Sequence, residues 1–267
     1  MHLHNAHERE QNKPESPKAP ARGDGADRQP VRPSLMRISE VDRNCDPASP
    51  MGCVRDWIRR FLARPHPQLG RGGSVCPFVP IALGLDTIWM AEVAETMPSF
   101  ERISEIITEY RNVFLKTEPT SGSEAINKTF LVVFPSLAAN GAEGAAIIDK
   151  VQASLKKYFV DMGLMLGEFH AANESPGLRN PDFRPLRSPI PMLAIRHMVE
   201  SDLPFLIRET YAPQERSSFL RAYLFRLGGT LSQVKFNEAL DGLIAAEAAI
   251  MSSIPSKKIS HFVSTAP

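Results

Sequence analysis

The run Lys128-Thr129-Phe130-Leu131-Val132-Val133-Phe134, closed by Pro135, constrains this chain more than any other stretch. A strand with one wet face alternates polar and apolar residues. A strand that is apolar at both parities is covered on both faces. The chain must therefore build a sheet with material on each side, and amphipathic helices are what the flanking sequence offers. Residues 99–116 place Ile103, Ile106, Ile107, Tyr110 and Phe114 at helical spacing, with Ser99 as N-cap. Residues 141–163 read as a second helix, ended by Gly163.

Three more strands are expected, over 87–94, 164–170 and 191–198, and a helix runs from Val54 to Arg64, stopped by Pro65. From Leu203 onward the pattern is helical in three pieces, 203–211, 215–229 and 233–254. The order α-β-α-β-α-β-β-α-α-α contains two β-α-β steps followed by a strand pair. It predicts an α+β fold: a mixed sheet of four or slightly more strands, helices packed on it, and a helical C-terminal cap.

Residues 1–50 are rich in Pro, Arg, Asp, Gly and Asn and lack apolar periodicity, so they are expected to form a disordered arm whose deletion leaves a folded protein. His2, His4 and His7 fall there and are read as solvated. Residues 51–255 are expected to form one domain and 256–267 a frayed tail. With 43% hydrophobic residues the core can be sizeable. The charge balance, 31 basic against 30 acidic residues, gives no footprint for nucleic acid. No stretch approaches the ~20 apolar residues of a membrane span, and the polar N-terminus lacks a signal peptide's apolar stretch, so a cytoplasmic protein is expected. Cys45, Cys53 and Cys76 form no CxxC pair and no even disulfide framework. There is no GxSxG, HExxH or EF-hand loop.

Two segments do not read as generic core. The first, residues 64–78, carries His66, Arg71 and Cys76-Pro77 on a backbone punctuated by Pro and Gly. It has no Walker or Rossmann spacing. Cys76 is either a small buried hydrophobe at a strand entry or a thiolate ligand, since Cys-Pro pairs recur at haem iron. In the second, alternation puts Leu164, Leu166, Glu168 and His170 on one strand face, and Met165, Gly167 and Phe169 on the other. A loop of about 20 residues follows, holding Arg179, Arg184 and Arg187. A loop that long in a compact domain is usually functional or disordered. His170 and His197 read as binding groups or as satisfied core histidines, and the arginines as a charged wall or as solvated surface.

Taken in order, Cys76-Pro77-Phe78, the strand Thr129 to Phe134, Gly167-Glu168-Phe169-His170, and Phe183 followed by Pro189-Ile190-Pro191-Met192-Leu193-Ala194-Ile195-Arg196-His197 resemble the YqcI/YcgG-like proteins. The wording is most similar to a group found in bacterial biosynthetic gene clusters. One position departs: Ala171 stands where that family tends to have Pro. The wider family includes haem-dependent N-oxygenases that hydroxylate amine or guanidine nitrogens. The resemblance implies haem b bound through His170 as axial ligand, with Cys76 as second choice and His66 and His197 as third. It implies Arg179, Arg184 and Arg187 on the propionates, and Glu168 as the catalytic carboxylate facing a cationic substrate head. Trp57, Phe78, Trp89 and Phe169 would supply apolar walls. The partners implied are an amine or amino-acid substrate and an electron donor, without nucleic acid or membrane, in a monomer or homodimer. The competing readings are a haem carrier or sensor without turnover, and a cofactor-free interaction module.

Overall fold

The computed structural model describes residues 35–253. It opens with β1 (Met36–Arg37) and α1 (Ile38–Asn44), where composition predicts disorder. Met36 and Arg37 pair antiparallel with Met90 and Trp89, the Arg37 guanidinium lies 4.3 Å over the Trp89 ring, and Ile38 and Val41 are buried. The segment is ordered because it closes the edge of a sheet built elsewhere, which local composition does not report. The rest of the expected arm, 1–34, and the expected tail lie outside the described residues.

Ser49 accepts the Gly52 N–H and starts α2 (Pro50–Trp57), with Pro50 in the first turn. The helix then widens into a π-helical turn, Ile58–Leu62, closed by the Ala63 N–H on the Ile58 carbonyl at 2.9 Å. A 3-10 turn (Pro67–Leu69) and α3 (Val79–Gly84) follow. The sequence reading missed α3 because Pro80 looks like loop. It falls in the first helical turn, where a missing N–H costs nothing.

Next come β2 (Ile88–Glu92), α4 (Phe100–Lys116), α5 (Gly122–Ala125), β3 (Thr129–Val133), α6 (Pro135–Ala138) and α7 (Gly141–Asp161). Ser99 caps α4 as expected, accepting the Arg102 N–H at 3.2 Å. Gly163, at φ +75°, turns the chain from α7 into β4 (Leu164–Phe169). β5 (Met192–His197), a 3-10 turn (Glu200–Phe205), α8 (Pro213–Leu227) and α9 (Gln233–Ser253) complete the order. The helix expected from Leu203 is only that 3-10 turn, with Pro204 inside it.

The fold is α+β, with a five-stranded mixed sheet in the order β1-β2-β3-β5-β4. β2 and β3 are parallel across α4, the right partners for the first β-α-β step. The second step, through α7, carries β4 one place too far, and β5 returns antiparallel between β3 and β4. One face, with Ile88, Met90, Leu131, Val133, Met192 and Ala194, packs on α1, α2 and α3. The other carries Phe130, Leu193 and Ile195 and meets α4 and α7, with Phe114 edge-on to Phe130 at 5.1 Å. α8 and α9 enclose a separate cluster around Leu203, Leu206, Leu220 and Tyr223. Among the described residues no helix is long and apolar enough to cross a membrane.

Candidate functional site

The π-helical turn shapes the site. Its end leaves the Leu62 carbonyl free, and the Cys76 N–H donates to it at 3.0 Å. The Val75 N–H donates to the Arg64 carbonyl at 2.9 Å and Pro65 bridges to Ser74, so residues 64–76 form a closed excursion that returns Cys76 to the helix. Pro77 then leads into α3. Between this corner, the α1–α3 face of the sheet and the 170–191 loop lies a cavity of ≈270 Å³. Ile58, Leu62, Phe78, Val79, Leu131 and Phe169 make most of its wall apolar. Cys76 is the only thiol or imidazole on it, and its Sγ makes no hydrogen bond among the described residues.

The polar groups lie along the edge strand β4 and beyond it. Gln152 donates to the Leu166 carbonyl at 2.9 Å. Glu168, next to it, has its carboxyl pushed above the usual range by burial and by the nearby Asp149 charge, against the opposing pull of Lys156 and His170. Arg196 forks onto the buried Asp202 at 2.7 and 2.5 Å. Burial works against its charge, and Asp202 more than offsets this, with a smaller contribution from Cys76. Lys156, Arg208 and Tyr211 also line the cavity. A second hollow of ≈360 Å³ shares Gln152, Glu168 and Ser175 with the first and adds Asp149, Asn173 and Glu174.

Of the expected ligands, only Cys76 reaches the cavity. Strand alternation puts His170 and Glu168 on one face, as read from the sequence, but that face turns toward α7. His170 is 2% exposed, its Nε2–H donates to Asp149 Oδ1 at 2.8 Å, and its buried Nδ1 has no partner among the described residues. It lines neither hollow, and in this fold it braces the end of β4 against α7. His197 lies behind the sheet, 5.0 Å from the Phe114 ring, and burial and the Lys128 charge pull its pKa down to about 4. His66 stacks on Phe183 at 4.7 Å with its Nδ1 accepting the Gln68 N–H. Neither faces the cavity.

The three arginines are displaced for a different reason. Arg184 and Arg187 both pair with Glu174, at 3.0 and 2.5 Å. Arg179 packs against Gly70, whose φ of +75° and lack of a side chain let the two loops touch. Asn180 donates to the Gln68 carbonyl at 2.8 Å across the same seam. The charged loop is therefore stapled to itself and to 64–73 instead of facing a ligand. Phe78 and Phe169 are walls as expected. Trp57 packs on Phe169 from behind at 5.7 Å, and Trp89 points to the opposite face, against Phe130.

The sequence reading missed Gln152, Lys156, Arg196, Arg208 and Tyr211. Only Gln152 and Lys156 carried a signal, since they stand one turn apart on the helix preceding β4. A family model described as a domain of unknown function (DUF6875) matches residues 51–237, most of the chain. No curated protein and no solved structure matches it.

Proposed function

The chain belongs to the DUF6875 family, and we propose that its cavity is the active site of a haem-thiolate N-oxygenase acting on a small amine or amino-acid-like substrate. The observation that carries this reading is Cys76, a thiol without a hydrogen bond on an otherwise apolar wall. The side chains on the cavity suit haem chemically: Cys76 would hold the iron, apolar side chains the macrocycle, and Lys156 and Arg208 its carboxylates.

Thiolate-bound haem supplies an electron-rich iron that favours O–O cleavage. The chain's own residues do the rest. Arg196 sets a positive charge beside the thiolate. Glu168, whose carboxyl is pushed up by burial, is the group on the cavity placed to take the proton of a cationic nitrogen and leave the lone pair free. With haem bound, one oxygen atom of O2 would enter the N–O bond and the other would leave as water, an electron donor supplying two electrons and solvent two protons. The ≈270 Å³ volume is at the small end for ligand clefts. Admitting a macrocycle would require the 170–191 loop to move outward. The same small volume favours a second reading, in which the cavity takes a small organic molecule directly and no haem binds.

A haemin titration followed by reduction under carbon monoxide separates the two. The expected result is a stoichiometric Soret band with the red shift of thiolate ligation, lost in Cys76→Ala and kept in His170→Ala. Retention of that band in Cys76→Ala removes the thiolate assignment. Absence of any Soret band leaves the second reading.

A further inference from the structure

Lys156 is 8% exposed, and no carboxylate lies within ion-pairing distance of it among the described residues. Its Nζ donates to the Phe205 carbonyl at 3.0 Å and to the Tyr211 hydroxyl, and it sits 4.5 Å over the Tyr211 ring and 5.3 Å from that of Phe219. Neutral oxygens and ring faces solvate an ammonium without neutralising it, and a buried cation is costly until something does. Arg208 stands on the same cavity, its guanidinium 5.3 Å over Phe205 and, among the described residues, in no ion pair. Asp202 is engaged by Arg196 and the Val199 N–H. Glu168, whose carboxyl is pushed up by burial against the pull of Lys156, makes no ion pair with it among the described residues. Tyr211, accepting from Lys156, keeps its own O–H to donate.

We infer that Lys156, Tyr211 and Arg208 form a carboxylate-recognition pole of the Cys76 cavity, taking the acid group of a small, otherwise apolar organic ligand. The chemistry of the pole names the class. An ammonium, a phenol O–H and an unpaired guanidinium are matched by two carboxylate oxygens. The apolar remainder of the wall calls for a hydrocarbon body, which a phosphate or other compact hydrophilic anion lacks. The acid group belongs either to a free organic acid or to a propionate of haem. The inference rests on the cavity being the ligand site proposed above, and it does not require haem.

The test uses the full chain and the variants Lys156→Met and Arg208→Gln. Calorimetric titration with octanoate and with 1-octanol isolates the acid group, and Soret titration with haemin and with its dimethyl ester isolates the propionates. The expected result is that the parent protein binds octanoate at least tenfold more tightly than 1-octanol, and that each substitution removes this preference. A preference confined to haemin over its ester, and abolished by the same substitutions, assigns the pole to the propionates. A preference that is absent, or that survives both substitutions, overturns the pole; if a Soret band still forms, the haem reading stands. An octanoate preference in a protein that forms no Soret band keeps the pole and sinks the haem reading. If Lys156→Met does not fold, Tyr211→Phe takes its place, because that position is partly exposed.

Discussion

Lys128 and His197 lie on the α4 side of the sheet, and their environment makes a prediction about pH. Lys128 is fully buried, and its Nζ donates to the Phe114 and Thr117 carbonyls at 2.8 and 2.6 Å, closing the end of α4. Burial lowers its pKa to about 8, partly opposed by Glu118. For His197 the native value is about 4 against an ordinary 6.5. Between those two values the unfolded chain binds more protons, so stability rises with pH across the window and is lost as acid is added. After discounting for solvent screening, the contribution is on the order of 1–2 kcal/mol. Lys128 acts with the same sign between about 8 and 10.5. His197→Leu should flatten the acid limb, measured by urea unfolding between pH 4 and 6.5. An unchanged slope would mean that His197 is not the group responsible.

At the scale of elements, the site depends on α7, which supplies Asp149, Gln152 and Lys156 from successive turns along the edge of β4. The first turn of α7 is seated by Gly144, where an added Cβ would meet the Leu137 carbonyl oxygen at 2.1 Å. Backbone cannot yield there as a flexible side chain could. Gly144→Ala should therefore push α7 off α6 and destabilise the protein by about 1–3 kcal/mol, despite alanine's better helix propensity. Thermal unfolding checks this, and a gain in stability would mean that the helix slides freely. Local structure was largely legible at this scale. Ser99, Pro135 and Gly163 marked ends correctly, and β3 was read as doubly covered from its composition alone. The π-helical turn was not legible, because Ile58 to Leu62 carry the same spacing whether the helix closes four or five residues back.

At the scale of the whole molecule, residues 35–50 change from expected arm to part of the domain. They cover the β2 edge and place Ile38 and Val41 in the cluster that holds Val54, Ile58 and Met90. Deleting residues 1–50 should therefore lower the urea midpoint sharply or abolish the cooperative transition, contrary to what their composition predicts. A truncated protein with the parent's midpoint would show that β1 and α1 add nothing to the core.

The sequence by itself determined the layers, the doubly covered central strand, the helical cap and the alternation that groups Glu168 with His170, because periodicity and turn chemistry are local. Only the tertiary structure decided how the cavity wraps the edge of β4, and so why Cys76 and Glu168 line it and His170 does not. It also decided that Arg184 and Arg187 pair with Glu174 while, among the described residues, Lys156 and Arg208 stand without a counter-ion. Those outcomes depend on β5 inserting between β3 and β4 and on one loop stapling to another. They are contacts between residues far apart in the chain, and no spacing along it records them.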